Sequence, residues 1–395
     1  IKSGVGVTLP TQKTFVYSNW IDQARMESTP AFVASATIST STGQLLSHTR
    51  TRSHPKDSTA ASSSIRSSSF LQTPRSQSSS TLPMWFSAPT SRTHAQIQIR
   101  MMANSYGTMK IAVAGGTGFI GSRLVKQLTK DGNEVVVLAH TPKVANPLFS
   151  QLKVIEFNSE HKDNPAVLEK EIGTCDAVVN LAGEPIAGAR WTPARKQAII
   201  DSRVICTQRL VKAIQNVQNK PQVLVNGSAI GIYGISDIKE FDESSESGDD
   251  FLAEVCKKWE AAADNAGIRT VKIRTGIVLG KEGGALAKML PIFNLGLGGP
   301  LGTGKQWVSW IHVDDEVGLI IEAIKNPKLS GPVNATSPNP VTFQELCTEL
   351  GKATKRPSFL PAPAFALKFL LGGSSTLVLD GQKVYPKKAS LAGYN

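Results

Sequence analysis

Three glycines spaced three residues apart are the part of the sequence best suited to chemistry. Gly115, Gly118 and Gly121 follow a short run of β-forming apolar residues at 110–114 and precede an amphipathic stretch from 122 onward. The first glycine permits a tight turn, the second lets backbone N–H groups approach a pyrophosphate, and the third lets helix and strand pack closely. The start of the helix adds unpaired N–H groups and partial positive charge, which favour a phosphate. The spacing predicts a dinucleotide site, while a packing turn without a ligand would use the same residues.

The residues after the second predicted strand indicate which dinucleotide the turn would take. NAD sites usually carry an acid there for the ribose hydroxyls, whereas NADP sites need positive charge. The strand predicted at 134–139 ends on Ala139 and is followed by His140 and Lys143, without an acid. We therefore expect NADP, with Ala139 and His140 among its contacts. A histidine is only partly charged at neutral pH, so an ordinary surface role for His140 is the alternative.

The elements that must position these residues alternate between strands and helices. Strands are predicted at 110–114, 134–139, 153–157, 176–183, 222–228 and 270–274, and helices at 193–218 and 249–266. This alternation predicts an α/β fold with a Rossmann-type, doubly wound parallel sheet, whose ligands lie at the carboxyl ends of the strands. The glycine turn, the small residues Leu181, Ala182 and Gly183, and the hydroxyl of Ser228 all fall at that edge.

A series of short motifs, in order, resembles one family closely. It is an atypical epimerase branch of the extended short-chain dehydrogenase/reductase superfamily, whose members are called epimerase family proteins or cell-division-inhibitor-like proteins. The resemblance covers about residues 109–394 and includes a short C-terminal domain. The matching segments are 115–121, 180–184, 190–191, 202–203, 228–234, 259–262, 274–280, 295–302, 310–315 and 381–384 with Pro386.

The resemblance implies a Rossmann fold that binds NADP(H), and it places cofactor contacts at Leu181, Ala182, Arg203 and Lys258. The residues of the glycine turn and the small residue after Ala182 complete the candidate contacts: Gly115, Gly116, Thr117, Gly118, Phe119, Ile120, Gly121 and Gly183. Arg203 would pair with a phosphate, and a solvent-exposed place on its helix is the alternative.

Catalysis in this superfamily couples a serine to a tyrosine and a lysine four residues apart on one helix. By resemblance, Ser228 occupies the serine position and Lys258 the lysine position, whereas Glu254 stands where the tyrosine belongs. Tyr233, in the turn after Ser228, is either a substitute acid or a structural residue. We name Ser228, Tyr233 and Lys258 as candidate catalytic residues. Glu254 could exchange a proton only if it faced the site.

Two helix starts are predicted from their cap residues. Thr192 before Pro193 is a typical beginning for the long helix. His312 with Asp314 and Asp315 suggests an acid–base set, but in the resembling proteins this segment opens a helix. We therefore interpret the three side chains as structural, with Asp314 or Asp315 as the cap.

Composition and charge exclude several classes of protein. The net charge is +12, but residues 1–108 hold ten basic residues against three acids, so the excess lies largely in that segment and no nucleic-acid surface is indicated. The cysteines are far apart and lack the spacing of metal ligands or of a disulfide framework, so we expect reduced thiols and no metal site: Cys175, Cys206, Cys256 and Cys347. No apolar stretch reaches membrane-spanning length.

Residues 1–108 are rich in Ser, Thr and Arg and poor in acids. Such a composition is typical of organellar transit peptides and cannot bury a core. We expect a plastid address, with a mitochondrion or the disordered tail of a cytosolic protein as alternatives. The predicted domains are this leader, an NADP-binding domain at 109–335 and a small C-terminal α/β extension at 336–395.

Two functional classes stay open on the sequence. The first is an NADP-dependent oxidoreductase or epimerase that acts on an unknown small substrate, organic or nucleotide sugar. The second is a cofactor-binding regulatory protein, for which the resemblance to plastid relatives implies a part in organelle division or envelope organisation. Ser228 and Lys258 favour the enzyme, and the missing tyrosine favours the regulator. The sequence neither requires nor excludes a homodimer.

Overall fold

A computed structural model describes residues 107–140, 147–160 and 164–394. Nearly all of the predicted leader, together with Lys143, lies outside the described residues. The strands in the described part are β1 (Lys110–Ala114), β2 (Glu134–Ala139), β3 (Lys153–Glu156), β4 (Ala177–Asn180), β5 (Val223–Ala229), β6 (Glu240–Phe241), β7 (Arg269–Thr275), β8 (Ile277–Gly280), β9 (Trp307–Val308), β10 (Trp310–His312), β11 (Gly331–Ala335), β12 (Val341–Thr342) and β13 (Lys383–Val384). The helices there are α1 (Phe119–Lys130), α2 (Pro165–Ile172), α3 (Pro193–Asn216), α4 (Phe251–Asp264), α5 (Gly284–Asn294), α6 (Val313–Lys325), α7 (Phe343–Thr354), α8 (Ala364–Leu371), α9 (Thr376–Leu379) and α10 (Lys387–Leu391).

Seven of these strands form one parallel sheet in the order β11-β7-β5-β4-β1-β2-β3. The predicted Rossmann-type, doubly wound fold is confirmed. From β1, the next two strands along the chain, β2 and β3, lie on one side of the sheet. The chain then crosses to the other side, where β4, β5, β7 and β11 follow in order. The direction of winding therefore reverses between β1 and β4, where such sheets leave a crevice at their carboxyl ends.

Alternate residues of each strand bury against different helices, as a sheet covered on both faces requires. In β1, Ile111 and Val113 belong to a core that includes residues of α1 and α6, whereas Ala112 and Ala114 belong to one that includes residues of α2 and α3. The predicted apolar stripe of α1 is in the first core, with Leu124, Val125 and Leu128 fully buried. This packing holds the glycine turn between a fixed strand and a fixed helix.

Of the two predicted helix caps, one is confirmed and the other is wrong. The Thr192 hydroxyl accepts a hydrogen bond from the Arg195 N–H at 3.2 Å, which confirms the predicted cap of α3. The predicted cap of α6 by Asp314 or Asp315 is wrong. His312 is the cap residue, and its Nδ1 accepts from the Asp314 N–H at 3.2 Å. His312 ends β10 in extended backbone, so its ring folds back over the first turn.

The C-terminal residues are joined to the preceding part of the chain by short strand pairs. β12 pairs antiparallel with β9, and β13 pairs in parallel with β6. Ala389 of α10 is buried in the same core as Ile111 and packs toward β11. The extension thus contributes to the region that follows the ends of β5, β7 and β11.

Candidate functional site

The glycine turn brings the ends of β1 and β4 together at backbone distance. Gly115 has a φ of 75°, and a Cβ there would lie 2.6 Å from the carbonyl carbon of Leu181. A Cβ on Gly121 would collide with the carbonyl oxygen of Gly115. The Leu181 N–H also donates to the Ala114 carbonyl at 2.9 Å. Only glycine fits at these two positions, because a side chain at 115 would separate the turn from the end of β4, and one at 121 would separate α1 from the turn.

The first turn of α1 presents backbone donors at this edge. Gly118 is the cap residue in extended backbone and makes no side-chain cap, and its N–H donates to the Gly115 carbonyl at 3.0 Å. Thr117 and Gly118 are exposed, whereas Gly116 is buried against Val137 and Val125. The first N–H groups of a helix lack partners within the helix, so an uncapped start is suited to an anion.

The two apolar residues of the turn face inward. The Phe119 ring lies against the backbone of Gly280, Gly283 and Gly284, where added Cβ atoms would meet ring carbons. Ile120 packs against the core that holds α1. Both side chains therefore anchor the turn, and their backbone N–H groups are what they can offer a ligand.

The end of β2 carries a charge pattern that the sequence did not reveal. Ala139 is buried, and His140 is exposed with its Nε2 3.9 Å from the Glu160 carboxylate. Glu160 follows β3 rather than β2, so only the parallel pairing of the two strands brings it there. An acid is therefore close to the residue expected to meet a ribose phosphate.

The segment after β4 is held by Arg203 from below. The Arg203 Nη1 donates to the carbonyls of Glu184 and Ile199, both at 3.0 Å. Its guanidinium lies 5.1 Å from the Trp259 ring and beneath Gly183, and burial lowers the pKa of Arg203. The alternative of a solvent-exposed helix face does not describe this contact set. The pairing of Arg203 with a phosphate stays a prediction. Arg203 fixes the backbone over which a ligand would lie.

Two buried asparagines that no sequence motif singled out connect the end of β4 to the middle of β5. Asn180 Nδ2 donates to Thr207 Oγ1 at 2.8 Å and to Asn226 Oδ1 at 2.7 Å. Its Oδ1 accepts from the Ala182 N–H at 3.2 Å. An amide at the end of an otherwise apolar strand was the available signal, since a buried amide requires partners.

Ser228 is tied into a buried polar network rather than left free. Its hydroxyl donates to Glu260 Oε1 at 2.7 Å. Arg274 clamps the same carboxylate, with Nε 2.9 Å from Oε1 and Nη2 3.0 Å from Oε2. Charge-assisted, bidentate pairs of this kind are the strong ones in a protein interior. Glu260 and Arg274 are in matching motifs, but nothing in their spacing predicted that they would meet Ser228.

Tyr233 is the next member of this network. Its phenol accepts from Arg274 Nη1 at 2.9 Å and donates to Asn334 Oδ1 at 2.6 Å. The side chain is only 4 % exposed, and burial raises the pKa of Tyr233 to about 12 despite the nearby guanidinium. Of the two interpretations of Tyr233, the structural one agrees with this geometry.

Lys258 and Glu254 pair with each other on an exposed face of α4. The Lys258 Nζ lies 2.7 Å from Glu254 Oε1, and both side chains are half exposed. The hydrogen bond from Lys258 holds the pKa of Glu254 below its usual value. The α4 residues that reach Ser228 are Glu260 and, four positions earlier, Cys256. Two positions along a helix are slightly more than half a turn, so Lys258 and Glu260 point in nearly opposite directions.

The His312 region is structural, as interpreted from the sequence. Asp314 accepts from Arg123 of α1 at 2.7 and 3.2 Å, which ties the start of α6 to the helix of the glycine turn.

Within the ranges that the structure describes, no group of three metal-ligating side chains occurs. Nor does that part of the chain contain a helix long and apolar enough to cross a membrane.

Comparisons with known proteins agree with this architecture. Residues 111–335 match the NAD dependent epimerase/dehydratase family, and residues 362–395 match a domain of unknown function, DUF1731. The chain is 44 % identical over 347 residues to the chloroplastic epimerase family protein SDR39U1 homolog of Arabidopsis thaliana, covering 85 % of this chain and 93 % of the relative. It is 40 % identical over 290 residues to epimerase family protein YfhF of Bacillus subtilis, covering 72 % and 93 %.

A solved structure is similar as well. The human epimerase family protein SDR39U1, crystallised with NADPH, is 35 % identical with a TM-score of 0.64, covering 73 % of this chain and 94 % of that one. The NADPH in that crystal belongs to the human protein.

Proposed function

Because the chain belongs to the NAD dependent epimerase/dehydratase family, we propose that it binds NADP(H) across the carboxyl ends of β1, β2 and β4. The further proposal is that it acts as an oxidoreductase or epimerase on a small substrate that carries a hydroxyl group. The close approach of Gly115 to Leu181, beside the uncapped start of α1, is the observation that carries the binding proposal. The NADPH found with the human relative supports the choice of NADP.

The proposed contacts follow from where the backbone is open. The N–H groups of the first α1 turn would hold the pyrophosphate, with Thr117 and Gly118 nearest to it. Arg203 would keep the segment from Leu181 to Gly183 flat beneath the ligand. Lys258, Ala139 and His140 stay proposed contacts at the rim.

When bound, NADP(H) supplies a nicotinamide carbon that accepts or gives a hydride. The contribution of Ser228 is set by its partner. Because its hydrogen is directed at Glu260, the Ser228 oxygen has only lone pairs left for a ligand. Ser228 would therefore orient a substrate by accepting a hydrogen bond from a hydroxyl group rather than by donating one to a carbonyl.

Gly118→Ala tests cofactor binding without disturbing the turn. Gly118 has a φ of −75°, and a Cβ there would lie 3.3 Å from the nearest atom, so the variant should fold. The methyl group would occupy the approach to the pyrophosphate and weaken NADPH binding in calorimetry. Gly173→Ala is the matched control, with a φ of −65° and the same 3.3 Å clearance at the end of α2. Equal affinity for NADPH in both variants would contradict the proposed site.

A regulatory protein that binds NADP(H) without using it is the second candidate function. It is favoured by the exposed Lys258–Glu254 pair, which replaces the tyrosine–lysine couple, and by the burial of Tyr233. The absorbance of NADPH, followed as a metabolite library is added, separates the two candidates. Consumption that Ser228→Ala abolishes supports the enzyme. Thermal stabilisation by NADPH without consumption supports the regulator.

The cellular address, the domain limits and the oligomeric state belong to the same proposal. We place the protein in the plastid, with a mitochondrion as the alternative, because the leader composition agrees with the chloroplastic name of the Arabidopsis relative. A fluorescent reporter fused to residues 26–108 tests this, and a diffuse cytosolic signal would contradict it. We keep 109–335 as the NADP-binding domain and 336–395 as the C-terminal domain, with a homodimer left to sedimentation analysis.

A further inference from the structure

Residues 381–394, which we name the C-terminal strap, belong to the segment that matches a domain of unknown function. We propose that the strap positions the Ser228 hydroxyl, through a continuous chain of buried hydrogen bonds and through a direct tether to the turn after β5. The inference deepens the proposed function, since it assigns the strap a task at the site where the substrate hydroxyl would bind.

The chain of hydrogen bonds begins at the strap. The Tyr385 carbonyl accepts from Asn334 Nδ2 at 2.9 Å, and Asn334 Oδ1 accepts from the Tyr233 phenol at 2.6 Å. Arg274 Nη1 donates to the same phenol oxygen at 2.9 Å. Arg274 then clamps Glu260, whose Oε1 accepts from Ser228. Each link is within normal hydrogen-bond length, so the chain is unbroken from the strap to Ser228.

Burial makes this chain rigid. Asn334 is fully buried, and the other four side chains of the chain are at most 8 % exposed. A buried polar network in low dielectric is costly to leave partly satisfied, so its members keep their partners. A displacement of the strap would therefore change the position of each group in the chain in turn, including the Ser228 hydroxyl.

The direction of every hydrogen follows from the chemistry of the groups. A guanidinium only donates, and an ionised carboxylate only accepts. Tyr233 must accept from Arg274 and so donates onward to Asn334, whose amide is oriented by the strap carbonyl of Tyr385. At the other end, Ser228 must donate to Glu260. By accepting from Asn334 Nδ2, the strap thus fixes the orientation of the Asn334 amide in which Oδ1 accepts from Tyr233.

A second connection reaches the backbone beside Ser228. Gln382 Nε2 donates to the Ile230 carbonyl at 3.0 Å, two residues after Ser228. The main chain of Gln382 is held in turn by Ser309. The Ser309 hydroxyl donates to the main-chain carbonyl of Gln382 at 2.8 Å and accepts from the Val384 N–H at 2.9 Å. The strap therefore holds Ser228 from two sides, through side chains and through the main chain.

The far end of the strap is anchored on α6. The Tyr394 hydroxyl donates to the Asp315 carbonyl at 2.7 Å, and its ring packs against the core beneath β1. Because both ends of the strap are fixed, Gln382 and Tyr385 cannot drift independently of the sheet. We therefore assign the strap residues as positioning residues rather than catalytic ones.

Cys256 offers a direct probe of this arrangement because its buried thiol contacts Ser228. Gln382→Met keeps the length of the side chain but removes the amide donor. Loss of one net hydrogen bond should raise the rate of Cys256 alkylation by N-ethylmaleimide about fivefold, resolved by peptide mass spectrometry. Cys175, buried against α2 and remote from the strap, is the internal reference and should not change.

Two further variants separate positioning from general stability. Lys387 also belongs to the strap, and its exposed side chain pairs with Asp242 outside it. Lys387→Ala breaks this ion pair and should leave the ratio of Cys256 to Cys175 labelling unchanged. Gln382→Glu can donate to Ile230 only when protonated, and a glutamate of ordinary pKa is largely ionised above about pH 5. Its Cys256 rate should therefore exceed wild type near pH 8, and the ratio of the two rates should fall toward one as the pH is lowered through about 4, with wild type measured at each pH. This rescue at low pH would not arise from mere destabilisation.

Two results would overturn the proposal. An unchanged Cys256 rate in Gln382→Met would show that the strap does not hold Ser228. An equal rise at Cys256 and Cys175 would show a global role only. Because no nucleotide is added, this outcome is independent of whether NADPH binds, and a wild-type protein that NADPH fails to stabilise would reject the proposed function alone.

Discussion

The buried carboxyl of Glu316 should make the protein less stable as the pH rises through neutrality. Glu316 lies on α6 with no measurable exposure, and its Oε1 accepts from Thr275 Oγ1 at 2.7 Å. Its Oε2 has no hydrogen-bond partner among the described residues. Burial therefore raises the pKa of Glu316 from 4.5 to about 8, because one hydroxyl cannot replace the lost hydration of a carboxylate.

The sign and size of the effect follow from linkage. Below pH 4.5 the carboxyl holds its proton in both states, so the group adds no pH dependence. Between 4.5 and about 8 the unfolded chain loses the proton and the folded protein keeps it, so stability falls as the pH rises. The fall is about 1.4 kcal/mol per pH unit, or about 5 kcal/mol over the whole interval.

Glu316→Gln removes the titration while keeping the size of the side chain. Urea unfolding of wild type and variant, followed by tryptophan fluorescence, should show the difference in unfolding free energy growing in favour of the variant by about 4 kcal/mol between about pH 5 and pH 8. Glu322→Gln on the same helix is the matched control and should keep the wild-type slope. Parallel curves for wild type and Glu316→Gln would refute the argument, since they would mean that Glu316 is ionised in the folded protein.

Three further variants test the site. Tyr233→Phe should lower the unfolding free energy by about 1–3 kcal/mol because it leaves Arg274 short of a buried acceptor, with NADPH affinity retained; undiminished stability would remove the phenol from the network. Lys258→Ala should weaken NADPH binding in calorimetry without changing the melting temperature of the cofactor-free protein, whereas its partner variant Glu254→Gln should bind as wild type does. Indistinguishable affinities in these two variants would exclude Lys258 as a contact. His140→Ala should weaken NADPH more than NADH, and equal losses would speak against phosphate recognition there.

Local chemistry made much of the fold predictable. A glycine turn, a stripe of apolar residues at helical spacing and a Thr-Pro helix start each depend on a few neighbouring residues. For that reason the strand–turn–helix around Gly115, the sheet class and the start of α3 at Pro193 agree with the structure. The prediction of the α6 cap was wrong because Asp314 has a stronger partner in Arg123, which lies 191 residues earlier in the chain.

The sequence by itself determined where a dinucleotide could lie, because the turn at Gly115 depends only on the backbone conformations open to glycine and on the spacing of the three glycines. Only the tertiary structure decided what surrounds it. Ser228 and Glu260 are 32 residues apart, and Tyr233 and Asn334 are 101 apart. Such pairs depend on how α4 and β11 pack against β5 and β7, and packing is set by the summed shape of the whole core rather than by any local pattern.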